Sequence, residues 1–302
     1  MADLSSVYCG LLLKNPLIAS ASPLTAELAS AKQLQSAGAG AVVLPSLFEE
    51  SVRSDESLLN RYADKIKSYK DALDIPVIAS LNGVTEGGWL DHAKYLEEAG
   101  SDAIELNIYY IAASVRESSD QIERRYIDLV YKLRAQIGVP IAVKLTHQFS
   151  SIAHLVKRLE DTGVNGVVMF NRFYLPDIDV ETMSVTPSLQ LSNSSESLLR
   201  IRWIGLLRDQ VKLSMAATGG MHSLDDVLKT LLVGADAIQL CSVLFEKGID
   251  ELTRLRDQLE HWLDKKGYDG VESIKGLMSY GKVKDPSGFE RANYLQVLEE
   301  NS

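Results

Sequence analysis

Short apolar segments rich in β-branched residues alternate along the chain with longer segments of helical periodicity. Eight of the short segments have the length and composition of buried strands. They lie at residues 17–20, 40–44, 76–81, 103–106, 140–145, 166–170, 213–217 and 235–240. Repeated βα units build a parallel sheet, and eight such units are the number that closes a barrel. The pattern therefore predicts the α/β class and a TIM (β/α)8 barrel.

Each predicted strand is followed by a segment with the length of a crossover helix. These helices are predicted at residues 26–35, 58–72, 89–99, 121–136, 152–162, 197–208, 224–232 and 244–265. Four of them end near a glycine that can adopt the left-handed conformation of a helix terminus, namely Gly38, Gly100, Gly163 and Gly234.

Two features depart from the regular repeat. A short N-terminal hairpin that includes Cys9 precedes the first strand and is expected to cap the bottom of the barrel. Residues 172–193, after the sixth strand, are too many for an ordinary connection and predict a lid, a small hairpin or a substrate loop. Because no linker interrupts the pattern, we expect a single domain across residues 1–302.

Charge and composition narrow the classes of partner. The chain of 302 residues has 31 basic and 41 acidic side chains, a formal net charge of −10, which disfavours nucleic acid and anionic lipid as partners. Its two cysteines, Cys9 and Cys241, match neither a metal site nor a disulfide framework. With no apolar segment of transmembrane length in the sequence, we expect a cytoplasmic protein that does not associate with membranes.

Polar residues directly after the predicted strands are candidates for chemistry, because the carboxyl ends of barrel strands meet at one mouth. These positions hold Ser20, Ser46, Asn82, Asn107, Lys144, Asn171, Thr218 and Ser242. Hydroxyls and amides dominate, with one lysine, and carboxylates are missing. This argues against a metal site, which needs several Asp, Glu or His ligands, and against a glycosidase with paired carboxylates.

The seventh and eighth strands carry the most informative motif. Thr218-Gly219-Gly220 ends the seventh strand, and Cys241-Ser242 follows the eighth. Consecutive glycines let backbone N–H groups approach a phosphate, and the beginning of the next helix adds a partial positive charge. The motif therefore predicts a phosphate-binding site, with an ordinary tight βα turn as the alternative.

Four sequence blocks resemble the dihydroorotate dehydrogenase family of flavin mononucleotide (FMN) barrels. They are Asn-Pro-Leu-Ile-Ala-Ser at 15–20, Glu-Leu-Asn at 105–107, Val-Lys-Leu-Thr at 143–146 and the glycine motif with Gly-Ala-Asp-Ala at 234–237. The resemblance covers about residues 8–265. It implies an FMN site made by Ala19, Ser20, Ser46, Asn107, Lys144, Asn171, Gly219, Gly220, Cys241 and Ser242, the last two with both glycines at the phosphate.

Lys144 is the residue of this set with the clearest chemical role. A reduced flavin gathers negative charge, which a fixed ammonium group stabilises. We therefore expect Lys144 to affect the redox state of the cofactor more than the stability of the fold.

The sequence departs from the family at three places. The family has a Cys or Ser base after the fourth strand, and Tyr110 stands there in this chain. Pro45 replaces an expected cation after the second strand, and residues 192–195, Ser-Asn-Ser-Ser, replace a glycine-rich stretch. These changes question dihydroorotate oxidation more than they question flavin binding.

Tyr110 is predicted to act as a proton donor. A phenol with a pKa of about 10 is protonated at neutral pH, so it favours reduction of an activated double bond over oxidation. The alternative is that Tyr109 and Tyr110 only pack against the barrel rim. His147 is a candidate for substrate binding or proton transfer, and Arg172 for pairing with a substrate carboxylate, although structural or surface roles fit both.

The sequence thus predicts an FMN-dependent oxidoreductase that acts on a CH–CH bond of a small polar substrate, dihydroorotate-like or pyrimidine-like. The resemblance implies pyrimidine biosynthesis and a homodimer, while the electron donor or acceptor is not encoded in any motif. Two alternatives stay open. One is a non-catalytic barrel that keeps the ligand site, and the other is a flavin-free aldolase or isomerase, which needs a Schiff-base lysine or a carboxylate base.

Overall fold

The computed structural model describes residues 1–83, 89–290 and 292–300. Its strands are β1 (Ser6–Tyr8), β2 (Leu11–Leu13), β3 (Leu17–Ala19), β4 (Ala41–Val43), β5 (Leu47–Phe48), β6 (Val77–Asn82), β7 (Ala103–Asn107), β8 (Ile141–Leu145), β9 (Gly166–Met169), β10 (Pro176–Asp179), β11 (Ser184–Pro187), β12 (Ser214–Thr218) and β13 (Ala237–Leu240). Strands β3, β4, β6, β7, β8, β9, β12 and β13 pair in parallel in that order, and β13 pairs with β3. The sheet is therefore a closed barrel of eight strands, which confirms the predicted fold.

Helices surround the barrel. They are α1 (Leu28–Ser36), α2 (Glu49–Ser54), α3 (Ser57–Ala72), α4 (Trp89–Glu98), α5 (Ser119–Arg134), α6 (Ile152–Asp161), α7 (Ser197–Leu207), α8 (Leu224–Val233), α9 (Ser242–Lys247), α10 (Asp250–Lys266), α11 (Val271–Ile274) and α12 (Ala292–Glu300). The single helix predicted at 244–265 is wrong. Gly248, with φ of 85°, ends α9 and separates it from α10.

The two departures from the repeat are hairpins. Strands β1 and β2 pair antiparallel at the amino-terminal end of the barrel, where the Cys9 N–H donates to Ser214 Oγ at 2.9 Å. Burial raises the pKa of the Cys9 thiol to about 12, so Cys9 is a neutral packing residue, as expected. The insertion after β9 contains the antiparallel pair β10–β11.

The alternation of side chains along the barrel strands explains where the candidate site lies. Small apolar side chains from the barrel strands, among them Ile18, Ile78, Ala103, Ala142 and Ala237, form one buried central cluster. Side chains two positions further along a strand point to the same side. Those positions are polar and buried: Ser20, Ser80, Glu105, Lys144 and Gln239. The interior therefore changes from apolar to polar toward the carboxyl ends of the strands.

No helix within residues 1–83, 89–290 and 292–300 is both long enough and apolar enough to cross a bilayer.

Candidate active site

A cavity of about 560 Å³ lies at the carboxyl ends of the barrel strands. Six of the ten predicted cofactor residues line it: Ser20, Lys144, Asn171, Gly219, Cys241 and Ser242. The insertion after β9 forms its opposite wall through Tyr174 and residues 189–192. This volume is within the range of cavities that bind small molecules and cofactors.

Lys144 is held in a buried polar network. Its Nζ lies 3.0 Å from Glu105 Oε1 and 3.4 Å from Gln239 Oε1. Gln239 Nε2 donates to Glu105 Oε2 at 2.6 Å, and Ser20 Oγ donates to Gln239 Oε1 at 3.1 Å. A buried lysine is tolerated only with such partners, so Glu105 and Gln239 fix the ammonium group at the floor of the cavity.

A second chain of hydrogen bonds crosses four strand ends. Asn171 Nδ2 donates to Asn107 Oδ1 at 2.7 Å, and Asn107 Nδ2 donates to Ser46 Oγ at 3.5 Å. Ser46 Oγ and Ser80 Oγ are 2.7 Å apart. Asn107 and Ser46 thus orient Asn171, which itself lines the cavity. Ala19, the remaining predicted residue of the first strand, is buried within β3.

The two glycines after β12 form a tight cradle. Gly219 and Gly220 have φ of 81° and 87°, a region that favours glycine. A Cβ on Gly220 would lie 2.3 Å from the backbone nitrogen of Ser197. The Gly220 N–H donates to Ser192 Oγ at 3.1 Å, and the Ser192 N–H donates to Ser242 Oγ at 3.1 Å. Ser192 therefore connects the segments after β12 and β13.

Ser192 also contacts a buried histidine that the sequence analysis missed. Its Oγ lies 3.2 Å from His222 Nε2, and His222 Nδ1 lies 3.2 Å from Glu246 Oε2. The sequence could have pointed to this contact. Residues 192–195 replace the family's glycine-rich stretch, and His222 lies two positions after Gly220 of the glycine motif.

The beginning of α8 does not have the role expected from the motif. The Asp226 carboxylate accepts hydrogen bonds from the N–H groups of His222 and Ser223, at 3.1 and 3.0 Å, and from Ser194 Oγ at 2.8 Å. These donors are used within the protein, so the expectation that the helix terminus offers its positive end to a phosphate is wrong. Of the predicted phosphate groups, Gly219 and Ser242 line the cavity and are left for that purpose, because the Gly220 N–H already donates to Ser192.

Tyr110 lies in a charged cluster beside the barrel mouth. Its hydroxyl donates to Glu117 Oε2 at 2.5 Å, and the Arg125 guanidinium lies 4.3 Å from its ring centroid. The hydrogen bond from Tyr110 and the contact with Arg125 lower the pKa of Glu117. Tyr110 is not among the residues that line the cavity in the described part of the chain, and its role as a proton donor stays a prediction. Tyr109 stacks on Phe173 with ring centroids 3.9 Å apart.

Comparison with known proteins identifies the family. The family model for dihydroorotate dehydrogenase matches residues 54–263, which is well over half of the chain. The chain belongs to the dihydroorotate dehydrogenase family. This membership confirms the predicted family, the oxidoreductase activity and FMN as the cofactor.

Curated relatives match most of the chain. Dihydroorotate dehydrogenase A (fumarate) of Lactobacillus delbrueckii subsp. bulgaricus is 28% identical over 250 residues, 78% of this chain and 80% of the relative. The catalytic subunit of dihydroorotate dehydrogenase B (NAD(+)) of Thermoplasma acidophilum is 23% identical over 304 residues, 92% of this chain and 99% of the relative. The corresponding subunit of Methanosarcina acetivorans is 26% identical over 296 residues, 89% and 94% of the two chains.

The cavity of this dihydroorotate dehydrogenase family member fits FMN. Gly219 and Ser242 line the cavity near the expected phosphate, and Lys144 supplies a fixed positive charge on the cavity floor. Bound FMN supplies two-electron exchange with a carbon–carbon bond. Burial raises the pKa of the Cys241 thiol, so Cys241 is a neutral wall residue rather than a nucleophile. Across residues 1–83, 89–290 and 292–300, no group of three or more metal-binding side chains occurs.

Arg200 is the largest omission of the sequence analysis. Only 4% of its surface is exposed, and its guanidinium donates to the backbone oxygens of Thr218, Phe170 and Glu196 at 2.8, 3.2 and 2.9 Å. Arg200 lies four and seven positions before Ile204 and Leu207, so helical periodicity places it on the buried face of α7. A charged residue at such a position is a sequence signal that could have identified it.

Proposed function

We propose that the protein exchanges two electrons between FMN and a CH–CH bond of a dihydroorotate-like pyrimidine, as the names of its relatives suggest. The observation that carries the proposal is the position of Lys144, buried on the cavity floor and anchored by Glu105. A fixed ammonium group beside the cofactor stabilises the negative charge that reduction creates. A Schiff-base lysine of a flavin-free aldolase would need a free amino group, whereas Lys144 is paired with Glu105.

In this proposal Asn171 binds the substrate and Asn107 positions Asn171. Asn171 lines the cavity, and its amide is oriented by Asn107. Amide groups donate and accept hydrogen bonds, as recognition of the carbonyl and N–H groups of a pyrimidine ring requires. Asn107 and Ser46 act mainly by holding Asn171 in place.

We further propose that Tyr110 supplies the proton that accompanies hydride transfer to an unsaturated substrate. Its hydroxyl donates a hydrogen bond to Glu117, and a phenol is a suitable general acid for this step. In the direction of reduction, one substrate carbon gains a hydride, the adjacent carbon gains the Tyr110 proton, and the carbon–carbon double bond becomes single. Solvent then reprotonates the phenolate, which the Arg125 guanidinium stabilises.

The electron partner and the assembly belong to the same proposal. The relatives are named for fumarate and for NAD(+), and these two compounds are the first candidates as electron acceptors or donors. We infer a cytoplasmic homodimer, because exposed apolar side chains such as Ile178, Val185 and Leu295 need cover. Sedimentation velocity tests this inference, and a monomer at micromolar concentration contradicts it.

Flavin spectroscopy tests the reaction. The purified protein is expected to be yellow, and its flavin is first reduced with dithionite under anaerobic conditions. Addition of orotate or fumarate should restore the oxidised spectrum, whereas dihydroorotate should reduce the oxidised enzyme more slowly. A protein that stays colourless after incubation with FMN and desalting would rule out the cofactor. A flavin that none of these compounds oxidises or reduces would rule out the substrate class.

A further inference from the structure

A second cavity, of about 420 Å³, lies beside the first. Its lining includes His147 and Gln148 after β8, Arg172 after β9, and Arg200 on α7. The two cavities have four lining residues in common, including Asn171 and Arg172, so they are separated only by the segment after β9 and the side chain of Gln190. A ligand that contacts Asn171 in the larger cavity is therefore within reach of groups in the smaller one.

Two arginines and two carboxylates line the smaller cavity: Arg172 and Arg200, with Glu196 and Asp177. Arg172 Nε lies 3.3 Å from Glu196 Oε1, and Arg200 NH1 lies 3.8 Å from Glu196 Oε2. Two guanidinium groups thus share one carboxylate. Asp177 also lines the cavity, but it is exposed and its Oδ1 accepts the N–H of Ile178 at 2.8 Å.

His147 adds a neutral hydrogen-bonding group. Burial, and then the nearby charge of Arg200, lower its pKa, while Glu196 opposes this shift. The imidazole is therefore uncharged at neutral pH and can donate one hydrogen bond and accept another. In this cluster Arg200 is buried, Arg172 and Glu196 are partly buried and His147 is exposed, so its groups can be reached from the cavity.

Both arginines keep donors for a ligand. Arg200 uses one N–H from each of its three nitrogens for backbone oxygens, out of five in a guanidinium. Arg172 contacts Glu196 through Nε, and within the described residues no hydrogen bond is recorded for its two terminal nitrogens. Those terminal nitrogens have the fork geometry that pairs with a carboxylate.

Few cationic side chains of the larger cavity could bind an anionic group of a substrate. Its cationic lining residues are Lys144 and Arg172, and Lys144 is paired with Glu105. Pro45 follows the second barrel strand, where it contributes no charge. Arg172, which lines both cavities, is thus the cation best placed to bind an acidic group of a substrate.

We propose that the smaller cavity binds the carboxylate of the substrate, with Arg172 as the specificity-determining residue and Arg200 behind it. The inference rests on the proposed function, because it assumes that the reacting ring occupies the larger cavity. The planar fork of the Arg172 guanidinium matches the two oxygens of a carboxylate. The remaining volume of the smaller cavity accepts substituents beyond the carboxylate, so the substrate can be longer than dihydroorotate.

Orotate and uracil are matched probes, since they have the same pyrimidine ring and only orotate carries a carboxylate. Each is titrated into the oxidised, FMN-loaded protein, and binding is followed by the change in flavin absorbance. We expect Arg172→Gln to weaken orotate binding tenfold to a hundredfold and to leave uracil binding unchanged. Arg202→Gln removes an exposed arginine on α7 outside both cavities and serves as the control.

Glutarate carries carboxylates but no pyrimidine ring, so it tests the carboxylate site by itself. Thermal unfolding of the FMN-loaded protein is compared in glutarate and in sodium chloride of equal ionic strength. We expect glutarate to raise the Tm of the parent protein by a few degrees and to have no specific effect on Arg172→Gln. Orthophosphate at the same ionic strength is the comparison anion.

The outcomes separate the two proposals. If glutarate acts through Arg172 but orotate leaves the flavin spectrum unchanged, the carboxylate site stands and the proposed substrate ring is wrong. If orotate binds the parent and Arg172→Gln equally, the carboxylate site is overturned and the proposed function stands. A larger effect of orthophosphate than of glutarate, or no effect of either anion with no orotate binding, also overturns the carboxylate assignment.

Discussion

Two groups of residues at the barrel mouth differ in chemistry. One group, from or directly after β3, β8, β12 and β13, consists of buried polar groups such as Ser20, Lys144 and Gly220 that are fixed by hydrogen bonds. In the other, from the loops after β7 and β9, half-buried aromatic and charged groups such as Tyr110 and Arg172 interact mainly with one another and with nearby carboxylates. We call these the cofactor side and the substrate side.

The difference between the two sides shows where this chain resembles the family and where it departs from it. Most of the blocks that resemble the family contribute to the cofactor side, with Ser20, Lys144 and Gly220 among them. Two departures, Tyr110 and Pro45, lie outside it, and the third, residues 192–195, is part of it through Ser192. A scaffold that keeps its cofactor and changes the loops over it can accept another substrate. We therefore expect this protein to differ from its relatives in its substrate more than in its redox chemistry.

The strongest test of the cofactor side is Lys144→Met. The substitution leaves Glu105, which is 1% exposed, without its cationic partner. Breaking a buried ion pair in this way costs about 3–5 kcal/mol. We expect urea unfolding of the apoprotein to show a loss of that size, and the flavin potential of the loaded protein to fall.

The double variant Lys144→Met/Glu105→Gln is the control, because it removes both charges. It should regain most of the stability and none of the flavin potential. A single variant as stable as the parent would show that Glu105 does not depend on Lys144. In this prediction Lys144 stabilises the fold as well as the reduced flavin, and the sequence predicted only the second role.

The next test concerns the substrate side. Tyr110→Phe removes only the hydroxyl that donates to Glu117. If that hydroxyl supplies the proton, reoxidation of the reduced flavin by an unsaturated acceptor should slow about a hundredfold, with FMN binding unchanged. Tyr109→Phe is the matched control on the same loop. An equal rate for Tyr110→Phe and the parent would assign Tyr110 to the ion-pair cluster with Arg125 and exclude it from catalysis.

These two tests also show how far the sequence predicted the site. The eight strands and the polar residues after them could be predicted, because strand alternation and barrel geometry act locally. The pairing of Lys144 with Glu105 was not predicted, although both residues were noted, because it joins two strands 39 positions apart in the chain. Arg200 and His222 were missed for a similar reason, since their partners come from the segments after other strands.

Helix boundaries show the same limit. The terminal glycines Gly38, Gly100, Gly163 and Gly234 all have positive φ, as predicted. Gly248 was overlooked because the apolar periodicity continues on both sides of it, although the chain turns there between α9 and α10. A local pattern indicates what a segment can form, and the packing of the complete chain decides where it ends.

A smaller effect is expected from Ser192→Ala on the cofactor side. Its Oγ accepts the Gly220 N–H and contacts His222, so its loss should loosen the glycine cradle. One hydrogen bond contributes about 1 kcal/mol, and we expect the Kd for FMN to rise several-fold. Recovery of FMN fluorescence on dilution measures this release. Ser195→Ala, at an exposed position of the same segment, should leave the Kd unchanged, and equal effects of both variants would contradict a specific role for Ser192.

The smallest effect is expected from pH on the substrate side. The hydrogen bond from Tyr110, then that from Arg125, hold the pKa of Glu117 below its usual value of 4.5. A carboxyl group whose pKa is lower in the folded than in the unfolded state stabilises the fold above the unfolded pKa, and this contribution is lost as the pH falls through the folded pKa. Between pH 6 and about pH 3, the free energy of unfolding should therefore fall more steeply for the parent than for Glu117→Gln. Because the Glu117 side chain is still 22% exposed, the difference should be small and should shrink further in high salt. Urea unfolding at several pH values measures it, with Glu98→Gln as an exposed control on α4. Parallel curves for the parent and Glu117→Gln would mean that the hydrogen bonds of Glu117 to Tyr110 and Arg125 do not stabilise the fold.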